Sequence, residues 1–193
     1  MKVFKSIPST EINEEFQSFC KVGNEFWIGS GSSGDGGSMQ GSIYRYDSSW
    51  NYISKMSQTG FHFNSMSYDE ETDRLMTGGV TGSGANNIYI FNNVSSWPTV
   101  HASTPITSSD VERIVTLSHI SNYTNPVWTE RNAEGRRSII VSGQLNTKFI
   151  KIELGYGTNI FSYGTYTASS AGVPNGTYKL KWNRNYTVPN YIR

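Results

Sequence analysis

One order of segments occurs twice at an offset of about 45 residues, and this recurrence restricts the fold more than any other feature of the chain. FQSFCKVGNEFWIGS, a Gly/Ser-rich gap and SIYRYDSSWNYI are followed by FHFNSMSYDEETDRLMTGG, a Gly/Ser/Asn gap and NNIYIFNNVSSW. In each copy a strand meets a polar turn, a second strand ends in glycine, and a third strand carries I-Y-x-[YF]-[DN]. A weaker third copy runs through RIVTLSH, RRSIIVSGQ and KFIKIEL, with ISNYTNPVWTERNAEG inserted at its first turn, and a fourth starts at GTYKLKWN.

Nineteen glycines, twelve tyrosines, nine phenylalanines and five tryptophans, in short apolar runs between Gly/Ser/Asn clusters, suit strands and turns. Among the candidate strands are Asn64 to Tyr68 and Arg113 to Ser118. SSDVERIVTL also carries an S-x-x-E capping box at Ser109 and Glu112, but its β-branched residues and repeat register favour strand. Three or four antiparallel strands per repeat of this length is the arithmetic of a β-propeller blade. The expected fold is therefore all-β, a propeller-like array of three to five antiparallel blades with little helix. Residues 1–15 are expected as a lead or linker. Blade-like repeats follow at about 16–60, 61–110 and 111–170, with a partial one at 171–193.

Charge is nearly balanced, 16 Lys and Arg against 15 Asp and Glu, so no basic excess draws the chain to nucleic acid or anionic lipid. Neither is expected as a partner. The one cysteine, Cys20, cannot close an intramolecular disulfide and sits in an apolar run. The first residues lack the apolar run of a secretory signal, and no stretch has the length of a membrane span, so synthesis in a cytoplasm is expected.

His62 and Asn64 stand two apart at the head of FHFNSMSYD; on a strand they share one side and Phe63 and Ser65 the other. At the mouth of a propeller channel they would offer an imidazole and a carboxamide to a ligand, with Gln17 near the same place in the preceding repeat and His119 in the following one. The plainer alternative is that these groups tie blades together through backbone hydrogen bonds. Trp50, Tyr52, Trp97, Tyr123, Trp128, Tyr156, Tyr163 and Tyr166 lie in or beside polar loops, where aromatic faces next to Asn, Gln and Ser suit sugar binding. Trp50 joins His62, Asn64 and Gln17 as a ligand-binding candidate.

The remaining motifs carry little chemistry. Asp69, Glu70, Glu71 and Asp73 lack the glycine and closing glutamate of an EF-hand, and YDEETDRL reads as a turn formed by Asp69 and Thr72. GSGSSGDGGSMQGS lacks the G-K-[ST] ending of a nucleotide loop. There is no G-x-S-x-G elbow, and Asp47, Asp110, Glu130 and Glu153 show no spacing that selects a catalytic pair. No catalytic residue, metal ligand or cofactor is expected.

FQSFC, IYRYD, FHFNSMSYDEETDRLMTG and IYIFN together are similar to the repeats of five-bladed propeller platforms in tail fibres and receptor-binding proteins of phages that infect Gram-positive, staphylococcal-type bacteria. The family phrase Gly-His-x-Asn-[DS]-Met-[ST]-Tyr-[DN] stands here as Gly60, His62, Asn64, Ser65, Met66, Ser67, Tyr68 and Asp69, with Phe61 inserted; Thr72 and Leu75 follow. The likeness covers about residues 16–95. It implies a non-enzymatic virion tail component that attaches to cell-wall glycopolymer such as sugar-decorated wall teichoic acid. Other phage tail proteins and copies of itself in a homotrimer are the implied partners. A polysaccharide- or teichoic-acid-degrading hydrolase or lyase, and a structural tail scaffold, are the alternatives.

Overall fold

The structure is a computed structural model that describes residues 7, 14–31, 40–60, 62–78, 87–116, 124–128, 138–143, 148–154, 160–167, 180–182 and 189–192. Its strands form three four-stranded antiparallel sheets and one hairpin, each sheet built from strands consecutive in the chain. Sheet one contains β1 (Glu15–Val22), β2 (Glu25–Gly31), β3 (Gln40–Tyr46) and β4 (Tyr52–Thr59). Sheet two contains β5 (Met66–Asp69), β6 (Arg74–Gly78), β7 (Asn87–Phe91) and β8 (Val111–Thr116). Sheet three contains β9 (Thr124–Trp128), β10 (Ser138–Gly143), β11 (Lys148–Leu154) and β12 (Ile160–Thr167). The hairpin joins β13 (Leu180–Trp182) to β14 (Pro189–Ile192). A short helix, α1 (Trp97–Val100), lies between β7 and β8. The chain is all-β with little helix.

Sheets one and two repeat each other position by position. Ile43 pairs with Gly29 and Tyr46 with Phe26; in sheet two Ile88 pairs with Gly78 and Phe91 with Leu75. The I-Y-x-[YF] phrase therefore occupies the same register in both. Its residues alternate between faces and both faces are covered, so Ile43, Tyr44 and Tyr46 of β3, interrupted by Arg45, and all four residues 88–91 of β7 are apolar. Trp27, Ile43 and Met56 of sheet one meet Phe63, Met66, Leu75 and Phe91 in one core. Met76, Ile88, Ile90 and Val115 meet Ile139 and Val141 of sheet three in a second. The first strands run side by side, β1 beside β5 and β5 beside β9.

Aspartates set the tight turns, because a short carboxylate reaches backbone N–H groups two to four residues on. Asp47 Oδ1 accepts from Ser49 N and Asn51 N, both at 2.8 Å, between β3 and β4. Asp69 accepts from Glu71 N at 3.1 Å and Thr72 Oγ1 at 2.6 Å between β5 and β6. Asp73, at φ 52, then accepts from Tyr68 Oη and from Ser95, fastening that turn to the segment after β7.

Three expectations need correction. The strand at 111–116 closes sheet two instead of opening a third repeat, because Val115 pairs with Ile88 and completes the Met76–Ile88–Ile90 core. Thr124–Trp128, expected inside an insertion, is the strand that opens sheet three; the boundaries 61–110 and 111–170 thus become sheets at 66–116 and 124–167. The capping box expected at Ser109 and Glu112 is made two residues earlier: Asp110 Oδ2 accepts from Thr107 N at 2.7 Å, and Thr107 caps a single 3-10 turn at Ser108–Asp110.

Residues 1–15, expected as a lead, also contribute to sheet one. Ile7 packs with Phe26 and Trp50 on Ile28, Tyr44 and Tyr46. Glu14 accepts hydrogen bonds from Ser30 Oγ, from Ser42 Oγ at 3.3 Å and from Lys55 Nζ at 2.8 Å. Burial would raise the Glu14 carboxyl, but the Lys55 and Ser30 hydrogen bonds and the Lys55 charge outweigh it and hold its pKa below the ordinary value. On the other face, Glu25 takes a two-pronged contact from Arg45 at 2.8 and 2.6 Å and a third from Trp27 Nε1 at 2.8 Å. Burial again opposes, and these hydrogen bonds again win.

A carboxyl whose folded pKa lies below its unfolded one stabilises the fold above the unfolded value and loses that contribution as pH falls toward the folded value. Between about pH 7 and about pH 3, the melting temperature of the native chain therefore falls more steeply than that of a Glu14→Gln/Glu25→Gln variant, which starts lower. Parallel curves would contradict the two networks.

Candidate functional site

The rim where β1 begins and β2 ends gathers three of the four candidate residues. Glycines in β2 make this possible, since a glycine inside a strand lets another chain segment approach its backbone. A Cβ on Gly31 would overlap Nε2 of the His62 imidazole. A Cβ on Gly29 would stand 2.5 Å from Phe63 O and 2.9 Å from Phe63 Cβ. The 62–65 segment thus lies directly against sheet one. Ser18 Oγ, next to Gln17, donates to Phe63 O at 2.6 Å and holds it there.

This packing changes the expected presentation. Residues 62–65 precede β5 instead of belonging to it, so the strand alternation fails and His62 and Phe63 are both buried. His62 is only 7 % exposed and sits between the two sheets, its ring on Gly31 and its carbonyl 3.5 Å from Thr77 Oγ1. Asn64 is half-buried; its Oδ1 is enclosed and accepts no hydrogen bond from the described residues. Gln17 is the bulged residue of β1, lying between the paired positions Phe16 and Ser18, with Nε2 donating to Glu15 Oε2 at 3.1 Å. A bulge turns a side chain out of the regular pleat.

Trp50 is elsewhere. It lies in the β3–β4 turn at φ 64 and stacks on Phe26 with centroids 4.4 Å apart, at the opposite end of β2 from Gly31. Five residue steps along a strand separate those ends by about 17 Å. Trp50 belongs to a separate patch with Tyr46 and the half-exposed Tyr52.

The rim has a further polar member that the sequence reading did not single out. Gln58, near the end of β4, is buried, and its Nε2 would stand 2.7 Å from a Cβ on Gly41. His62 on Gly31 and Gln58 on Gly41 are thus two polar side chains seated on strand glycines. The glycines of EFWIGSG and QGSIYRY were the available signal.

Other candidates resolve into packing. Trp97 is 3 % exposed in the core between sheets one and two, and Trp128 packs half-buried against the second core. His101 is buried edge-on against Trp97, with Nε2 3.5 Å from Asp110 Oδ1. Cys20 packs against the first core, where burial pushes its thiol up to about 12. Tyr123, Tyr156 and His119 lie outside the described residues, as do the side chains of Tyr163 and Tyr166. Among the described residues no group of three or more His, Cys, Asp or Glu is placed to hold a metal ion, and no helix is long and apolar enough to cross a membrane.

Chemically, the rim offers amide and imidazole donors and acceptors fixed by packing. Such groups recognise hydroxyl-rich ligands. No family model matches the chain, and no curated protein matches it.

Proposed function

We propose that the chain is a β-propeller-type tail component of a phage that infects Gram-positive bacteria, attaching the virion to cell-wall glycopolymer such as glycosylated wall teichoic acid, without catalysis. Consecutive four-stranded meanders with adjacent first strands support the blade-like reading. The ligand site is the rim formed by Asn64 and Gln17 beside the buried His62. In this role the protein works in the virion tail, beside other tail proteins and further copies of itself.

One observation carries the site assignment: Asn64 Oδ1 is enclosed and has no donor among the described residues. An unmet buried acceptor costs about 1–3 kcal/mol, and a sugar hydroxyl that reaches it on local opening of the rim is a suitable donor for it. A shallow polar site of this kind binds weakly, and many copies on one particle restore attachment through avidity. The deep burial of His62 favours a second reading, a structural tail scaffold whose rim only joins sheets.

Retention of the purified protein on bacterial walls distinguishes the two. The attachment reading expects sedimentation with intact walls and loss of it after teichoic acid is stripped. Equal retention on stripped walls, or none on either, would remove the glycopolymer assignment.

A further inference from the structure

The two ends of the sheet array are unequal to its interior, and the repeat register shows how. Phe19 pairs with Ile28 on β2, and Met66 pairs with Thr77 on β6; these pairs occupy the same place in sheets one and two. Met66, facing sheet one, is 7 % exposed. Pro126 of β9, paired with Val141 on the face toward sheet two, is likewise buried. Phe19, with no described sheet before it, is 57 % exposed, and so is Phe16, paired with Ser30 on the same face.

The opposite face of the first strands tells the same story in reverse. Cys20 packs into the core shared with sheet two, and Ser67 Oγ accepts from Trp128 N of sheet three at 3.2 Å. Val127 pairs with Ile140, on the face of sheet three turned away from sheet two, and is 55 % exposed. Each junction inside the chain joins the trailing side of one first strand to the leading side of the next, and both free ends keep an apolar half of that junction. Ile7, Phe26 and Trp50 cover the leading face at Ile28, Tyr44 and Tyr46, and Glu14 covers it at Ser30 and Ser42, while Phe16 and Phe19 on β1 stay exposed.

We infer that the leading margin at Phe16 and Phe19 docks the trailing margin at Val127 of a second copy of this chain, head to tail, continuing the junction that β1–β5 and β5–β9 already make. Among the described residues, the strands after β12 form a two-stranded hairpin, half the strand count of a sheet. The surfaces are different on the two partners, so the contact is heterologous and closes into a ring or extends, according to the rotation between copies. This inference rests on the repeat register and not on the carbohydrate reading.

The test is the mass of the purified full chain by light scattering from about 1 to about 200 µM, with no cell wall present. The mass is expected to rise above the 21.6 kDa monomer with concentration. Phe19→Asp and Val127→Asp each weaken association at least about tenfold, since each removes one half of the contact. An equimolar mixture of the two variants forms dimers and nothing larger, because one intact leading margin meets one intact trailing margin. A native chain that stays monomeric throughout, as closure within one chain requires, overturns the inference, and so does a mixture that stays monomeric. If an aspartate variant loses its β-sheet circular dichroism, Phe16→Ser and Val127→Ser, both at exposed positions, carry the same comparison.

Discussion

Trp97→Ala is expected to lower stability by about 4 kcal/mol, in the middle of the range for emptying a large aromatic site in a core. Trp97 follows a 3-10 turn that places Val94 in the same core, and its indole lies 6.2 Å from Trp27, 5.1 Å from Phe91 and 5.3 Å from His101, centroid to centroid. It therefore plugs the junction of sheets one and two from a loop of sheet two. Truncation leaves a cavity bounded by two sheets and by the helix backbone, where His101 N donates to Trp97 O at 2.8 Å, so little can collapse into it. For a chain of this size the melting temperature should fall by about 8–16 °C. A loss under about 1 kcal/mol would mean that Trp97 is a surface residue after all.

Gly31→Ala is the second large effect, expected at about 3 kcal/mol, because the added methyl enters the space of the His62 ring and overpacking forces a shift in backbone or side chain. His62 cannot swing aside freely, since Ser18 holds Phe63 O and Gly29 has Phe63 against it. The double variant Gly31→Ala/His62→Gly should recover most of the loss, because the methyl then occupies vacated space. If His62→Gly leaves the Gly31→Ala penalty intact, the two residues do not share that volume.

These two sites also show where the sequence was legible. β3 and β7 were readable because both of their faces are buried, which makes the first, second and fourth positions of I-Y-x-[YF] apolar and places the phrase identically against β2 and β6. The YDEETDRL turn was readable because Asp69 bonds locally to Glu71 and Thr72. Trp97 was not, since SSWPT has polar neighbours and its loop enters the core through isolated residues, Val94, Trp97 and Ile106, with no period to detect. Thr124–Trp128 was hidden by Pro126. That proline is tolerated because β9 is an edge of its sheet, paired only with β10.

The candidate site was legible in part. Gln17, His62 and Asn64 were chosen from repeat position, and they do lie at one rim, joined through Ser18 and Phe63. Trp50 was chosen for its polar surroundings, which equally describe a turn whose aromatic folds back onto Phe26. The depth of His62 depends on Gly31, 31 positions away in the chain, and alternation within FHFNSMSYD holds no information about it.

The central claim is that the rim binds cell-wall glycopolymer through the Asn64 acceptor, which has no donor among the described residues. Its most direct measurement is retention of Asn64→Ala on teichoic-acid-bearing walls, taken together with the melting temperature of the same preparation. The account expects retention to fall at least about tenfold while stability does not fall and rises by up to about 1–3 kcal/mol, since the substitution removes the unmet acceptor. Undiminished retention, or a loss that merely follows a lowered melting temperature, would contradict it.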